Sequence, residues 1–254
     1  MEKQPIGIFD SGLGGISVLA EAIRLMPNEN FLYYGDTLHA PYGDKAPEEV
    51  FKHVITSINY LLNHNCKAVV LACNTATSVA AQSLRAQHDL PIIGMEPALK
   101  PASLLNCEGK ILVMATKLTL AQTKFSNLMD KYGENAIPIP CSGLMELVEQ
   151  GKLQCEETKQ LISHFLSPYL TQKIKAVVLG CTHYVFLRES IQKIVGSTVP
   201  ILDGNKGTVR ELERRLILAD LREKDEETGT VTFMSSCNDP QIIIQMNAML
   251  NCCS

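Results

Sequence analysis

The chain has 254 residues, 46% of them apolar and 20% charged, an ordinary globular balance in which nothing suggests disorder. Its formal net charge is −4, from 27 acidic and 23 basic side chains, with no basic run and no aromatic-interleaved Lys/Arg stripe, so nucleic acid is not an expected partner. No apolar stretch approaches the ~18 residues that span a bilayer, and Met1 to Pro5 lack a signal-peptide layout, so no membrane association and a cytoplasmic location are expected.

The pattern alternates strand and helix. Ile6 to Phe9 is a short apolar strand ending at Asp10-Ser11-Gly12, and a helix over Ile16 to Met26 stops at Pro27-Asn28. Asn30 to Tyr34 reads as a strand opening into a loop at Gly35-Asp36. Glu48 to Asn63 is helical, with Val50, Val54, Ile58, Leu61 and Leu62 on one face. Ala68 to Leu71 is a fully apolar strand, followed by a helix through Leu84 and a short strand at Ile92-Ile93. The second half repeats the theme. Strands are expected at Lys110 to Met114, Ala176 to Leu179, Pro200 to Leu202 and Val231 to Met234. Helices are expected at Thr119 to Tyr132, Leu144 to Glu149, Cys155 to Leu170, Arg188 to Ile194, Thr208 to Leu221 and Pro240 to Leu250, with a charged loop from Arg222 to Gly229. This order predicts an α/β fold with mostly parallel sheets flanked by helices.

An internal repeat organises these elements. Lys67 to Cys73 (KAVVLAC) matches Lys175 to Cys181 (KAVVLGC) at an offset of 108 residues. Pro91-Ile92-Ile93 follows the first copy as Pro200-Ile201-Leu202 follows the second, and Ile6 to Ser11 lines up more weakly with Ile111 to Thr116. Three matches in order predict two pseudo-symmetric domains with a site in the cleft between them. The expected division is 1–97 plus 206–254 for the first domain and 98–205 for the second.

Each repeat ends its strand in a cysteine, Cys73 and Cys181, followed by Asn74-Thr75 in one half and Thr182-His183 in the other. Ligands of open α/β sheets bind beyond the carboxyl ends of the strands. The N-terminus of the next helix there favours a thiolate and an anionic substrate. Of the other seven cysteines, Cys66, Cys107, Cys141, Cys155 and Cys237 read as core or surface incidentals and Cys252-Cys253 as part of a frayed tail. No ligand cluster at zinc-finger spacing is present, so no metal is expected. Two equivalent thiols suit racemisation, in which one group removes the Cα proton from one face and the other delivers a proton to the opposite face.

Asp10 to Gly15 (DSGLGG) forms a glycine-rich turn that is neither a P-loop nor a dinucleotide fingerprint. Its glycines are expected to bring backbone N–H groups close to a small substrate. Asp10 and Ser11 then become candidates for contacting an amino group or assisting proton transfer, although Ser11 also suits a helix N-cap. Pro41-Tyr42-Gly43 is a turn that reads as a lid, a binding wall or an ordinary loop. His183 is the one histidine beside a candidate thiol and a natural proton manager; the other five, His39 and His53 included, read as bland.

Taken together, Asp-Ser-Gly-x-Gly-Gly at 10–15, Tyr-Gly-Asp at 34–36, Pro-Tyr-Gly at 41–43, Ala-Cys-Asn-Thr at 72–75 and Gly-Cys-Thr-His-Tyr at 180–184 resemble glutamate racemases. Glu96-Pro97, Thr116 and Glu149 also fall where that family has such residues. Aspartate racemases typically carry Glu where His183 stands. The resemblance implies a two-domain α/β enzyme with no cofactor that uses Cys73 and Cys181 as an acid/base pair on glutamate. Asp10, His183 and Glu149 would assist. Ser11, Pro41, Tyr42, Gly43, Asn74, Thr75, Thr116, Thr119 and Thr182 would line the substrate site together with Asp10 and His183. The product, D-glutamate, would feed peptidoglycan synthesis and so cell-wall biogenesis. The family often forms homodimers, although no segment of this sequence reveals an interface. One departure is Val185, where the family usually has Pro. Rival readings are a superfamily racemase acting on aspartate or another small acid, a hydrolase using Cys181 and His183, and a two-domain small-molecule binding protein.

Overall fold

A computed structural model describes residues 3–253 and carries two parallel sheets; Met1, Glu2 and Ser254 lie outside the described residues. The first sheet takes β1 (Ile6–Asp10), β2 (Phe31–Gly35), β3 (Ala68–Leu71), β4 (Ile92–Gly94) and the late strand β9 (Val231–Ser235) in the order β4-β3-β1-β2-β9. The second takes β5 (Lys110–Ala115), β6 (Ala136–Pro140), β7 (Ile174–Leu179) and β8 (Ile201–Asp203) in the order β6-β5-β7-β8. Every strand pair is parallel. The second order is the first with β1 to β4 replaced by β5, β6, β7 and β8, so the sequence repeat is a repeat of topology.

Strand β6 has no counterpart in the expected elements. Pro138 and Pro140 remove two backbone donors and argue against a strand. The contradiction dissolves because β6 is an edge strand, where those donors would face away from the ladder. The expected helix from Thr119 to Tyr132 is also two helices, α5 (Lys117–Ala121) and α6 (Thr123–Tyr132), because Gln122 between them is extended at φ −80° and ψ 144°.

Alternation along the strands sorts their side chains onto two faces. On the first sheet, Ile6, Ile8, Tyr33 and Val70 pack with Leu19 of α1 (Ile16–Leu25), Leu212 of α10 (Asn205–Leu218) and Met246 of α11 (Pro240–Cys252). Phe9, Leu32, Val69 and Leu71 face α2 (Pro47–Asn63) and α3 (Asn74–Gln87) on the other side. On the second sheet, Leu112, Met114, Val177 and Leu179 meet α7 (Leu144–Glu149), α8 (Glu156–Leu166) and α9 (Arg188–Val195). Ile111, Val113 and Val178 meet α6 and the short α4 (Leu99–Ser103). With both faces covered, β3 reads as an unbroken apolar run, and burial of each Val or Leu on it contributes about 1.5–3 kcal/mol. The apolar cluster around α1 continues without a break into the second sheet. None of the helices among the described residues is long and apolar enough to cross a membrane.

Strand order reverses at β1 in one sheet and at β5 in the other, which opens a crevice at the carboxyl ends of β1/β3 and of β5/β7. Ser11 and Cys73 leave the first crevice, and Thr116 and Cys181 the second.

Candidate active site

These four residues line one pocket containing about 500 Å³ of empty space, counting its mouth. Pro41, Tyr42, Gly43, Asn74, Thr75, Thr182 and His183 also line it. Cys73 and Cys181 are both free thiols and both buried.

The two sulfurs are held differently. Cys73 is the N-cap of α3 and accepts the Ala76 N–H at 3.4 Å, and the Ser11 hydroxyl donates to the same sulfur at 3.4 Å. Burial pushes the Cys73 thiol up to about 12, with the Asp10 carboxylate adding to the rise and the Ser11 and Ala76 donors opposing it. The helix terminus expected to favour a thiolate is therefore outweighed by desolvation, and Cys73 rests as a thiol. Cys181 is followed by a 3-10 helix (Thr182–Leu187) and not by an α-helix, so the pseudo-symmetry fails at this point. Val185 sits within that 3-10 helix. What Cys181 gains instead is the His183 ring, whose Nδ1 lies 3.8 Å from its sulfur.

His183 is buried, with Nε2 2.6 Å from Glu149 Oε1. Burial lowers its basicity, but the contacts to Cys181 and Glu149 outweigh this and raise it well above the ordinary imidazole range. The Gly14 N–H also points at Nε2 from 3.2 Å, which only an unprotonated nitrogen could accept. The shorter contact to a carboxylate decides the matter, and Nε2 carries a proton donated to Glu149. Glu149 Oε1 also accepts the Leu13 N–H at 2.7 Å, and the Glu149 carbonyl accepts from Gln245 of α11 at 2.6 Å.

Three expected site residues stand behind the pocket wall. Asp10 is fully buried and accepts from the Gly12 N–H at 2.9 Å and the Thr182 hydroxyl at 3.1 Å. Burial lifts its pKa above the usual carboxylate range, with His183 and the Gly12 N–H pulling it back. Thr119 shares a hydroxyl triangle with Thr75 and Thr116, each side 3.0 Å, that bridges the two sheets. Glu149 touches His183 and does not line the pocket.

The role expected of the glycine turn is corrected. Gly12, Gly14 and Gly15 do not line the pocket. A Cβ on Gly12 would come within 2.3 Å of Glu149 Oε1 and one on Gly14 within 2.4 Å of His183 Nδ1, so these two make room for the arm carrying Glu149, Thr182 and His183, while Gly15 clears Asp10 and Ala72. Ser11 does not cap α1, whose N-cap is Gly15 without a side-chain bond. Tyr42 is a wall and not a lid: it is buried, and its hydroxyl donates to Asp36 Oδ2 at 2.5 Å.

Cys141, read from sequence as incidental, lines the pocket beside Ser142, Gly143 and Glu146. It follows β6, so missing that strand hid the residue. Asn74 carries the other informative feature. Both its amide oxygen and its amide nitrogen are buried without a partner, although the residue lines the pocket. Buried polar groups are normally paired, so this amide is set for a ligand with both a donor and an acceptor.

The fold and site define an α/β protein with two free thiols lining one pocket. The family model for Asp/Glu/hydantoin racemases matches residues 29–212. A glutamate racemase of Clostridium perfringens is 51% identical over 96% of this chain and 95% of its own length, and one of Clostridium kluyveri is 49% identical over 95% of each. Among solved structures, the glutamate racemase isoform RacE1 of Bacillus anthracis matches with a TM-score of 0.87 at 27% identity, covering 99% of this chain and 95% of its own. A glutamate racemase of Francisella tularensis in complex with D-glutamate matches with a TM-score of 0.83 at 26% identity, over 98% and 94%. The chain belongs to the Asp/Glu/hydantoin racemase family and is an amino-acid racemase, an isomerase.

Proposed function

We propose that this enzyme interconverts L- and D-glutamate by proton transfer at Cα between Cys73 and Cys181, without a cofactor. The observation that carries the reading is the shared pocket with a thiol from each repeat and the unpartnered Asn74 amide beside them. The named relatives support glutamate as the substrate. Asn74 offers a donor for a carboxylate and an acceptor for an ammonium group. Ser11, Thr75, Thr116 and Thr182 add hydroxyls around it.

Cys73, resting as a thiol, enters as the acid, and Cys181 with His183 against it enters as the base. Cys181 removes Cα–H, charge builds on the substrate carboxylate, and Cys73 delivers its proton to the opposite face. Ser11 O–H and Ala76 N–H then receive the charge left on the Cys73 sulfur. For the other enantiomer the roles reverse. The hard term is the weak acidity of Cα–H, which preorganised donors at the carboxylate offset. Asp10, Thr119 and Glu149 act as positioning residues. The cleft separates two domains, 1–97 plus 206–254 and 98–205. The product supplies D-glutamate for peptidoglycan in the cytoplasm.

Incubation with L- or D-glutamate in D₂O, without added cofactor, tests the reading. Deuterium entry at Cα by NMR and inversion by circular dichroism are expected from either enantiomer. Folded protein that exchanges neither enantiomer would remove glutamate as the substrate.

Glu149→Gln keeps an oxygen for Leu13 and His183 but removes the charge. Charge-assisted hydrogen bonds contribute about 1.5–3 kcal/mol, so kcat should fall roughly 10–100-fold. KM should change little, because Glu149 stands behind the pocket. A rise in KM with kcat unchanged would place Glu149 at the substrate.

A further inference from the structure

A second cluster of chemistry-bearing side chains lies behind the pocket wall. Asp36, His39 and His53 each present one ligand atom within 4.8 Å of the other two, the one such grouping of His, Cys, Asp and Glu among the described residues. They come from the end of β2, from a single 3-10 turn (Thr37–His39) and from the second turn of α2, so packing alone brings them together. Asp36 is buried, and its carboxylate is held at both oxygens, Oδ1 by His39 Nδ1 at 2.7 Å and Oδ2 by the Tyr42 hydroxyl at 2.5 Å. The two imidazoles stack with centroids 3.9 Å apart.

We propose that Asp36, His39 and His53 form a binding site for one divalent transition-metal ion of the zinc or cobalt type. Two imidazoles and a carboxylate are the donor set such ions take, with a fourth position for water. Arms of 2.0–2.1 Å in a tetrahedron put ligand atoms about 3.3 Å apart, so an ion is held once the two rings turn out of their stack and His39 Nδ1 gives up its hydrogen bond to Asp36. The surrounding bonds are also those a metal site needs. Tyr42 fixes the carboxylate oxygen that does not face His39, and Glu49 Oε1 lies 3.5 Å from His53 Nε2 as an acceptor for that ring. The His39 and His53 side chains keep 37% and 22% of their surface exposed, which gives the ion and its water a way in. The absence of a metal expected from sequence rested on short-range ligand spacing; here the second histidine lies on a different element.

The site adjoins the pocket without being part of it. His39 is followed after one residue by Pro41-Tyr42-Gly43, and an ion on Asp36 clamps the carboxylate that holds Tyr42. Nothing in this requires glutamate to be the substrate.

Titration of the full chain with Co²⁺ and then Zn²⁺, followed by calorimetry and by the cobalt absorption spectrum, tests the proposal. One ion per chain is expected, with a spectrum free of thiolate-to-cobalt charge transfer and with a metal-dependent rise in Tm. His39→Ala and His53→Gln should each weaken binding by at least the ~10–100-fold that loss of an outer partner costs, and Cys73→Ala should leave it intact. Circular dichroism checks that the variants fold, and His53→Gln keeps a good helix former on α2. No saturable binding, binding unchanged in both histidine variants, or a thiolate band lost in cysteine variants would each overturn it.

Discussion

Replacing either Cys73 or Cys181 with alanine is expected to lower the racemisation of both glutamate enantiomers by about 10²–10⁴-fold, the usual contribution of a positioned acid or base. The symmetry of the reaction sets this expectation. Each turnover uses both thiols once, one as acceptor and one as donor, so neither direction survives the loss of either. Asn74 and the surrounding hydroxyls remain, so glutamate should still bind. The measurement is inversion by circular dichroism beside binding by calorimetry. Retained inversion in one single variant, with binding intact, would leave a one-base mechanism. Both positions are buried, at 6% and 8% relative exposure, and removing a small sulfur there leaves only a minor cavity. Loss of activity through unfolding is thus separable by far-UV spectra.

Gly14→Ala should also damage the enzyme, at a residue that does not line the pocket. Its added Cβ would lie 2.4 Å from His183 Nδ1 and 2.5 Å from Thr182 Oγ1, both in buried side chains. His183 cannot retreat without leaving Glu149, and Thr182 cannot without leaving Asp10. Overpacking of this kind costs about 1–3 kcal/mol, equivalent to a fall in Tm of roughly 2–10 °C for a chain of this size. A fall in kcat should accompany it, because the imidazole loses its register on Cys181. Gly207→Ala is the control. Nothing lies within 4 Å of the place a Cβ would take there on α10, so that change should be neutral or slightly stabilising. Calorimetric melting and steady-state kinetics on both variants check the pair; equal behaviour would show that the Gly14 contact is readily relieved.

Much of the site was legible in the residues themselves. KAVVLAC and KAVVLGC are apolar because parallel strands are covered on both faces, and each ends in cysteine where the carboxyl end opens into the pocket. The two thiols and their flanking polar residues could therefore be assigned to one cleft from the chain alone. The β6 strand could not, because proline at 138 and 140 argues against a strand unless the edge position is known. With β6 went Cys141. Nor could periodicity show that Gln122 breaks the helix expected from Thr119.

The amino-acid sequence by itself determined the α/β class, the repeat and the two cysteines, because these follow from hydrophobic periodicity and local chemistry along the chain. Only the tertiary structure decided what surrounds each thiol. It put Cys73 at a helix cap in a desolvated pocket and gave Cys181 a histidine braced by a carboxylate from another helix. It turned the glycine loop from an expected substrate cradle into the clearance for that histidine, and joined Asp36 to His39 and His53. Desolvation, close approach and charge pairing depend on distances between residues remote in sequence, which no local pattern encodes.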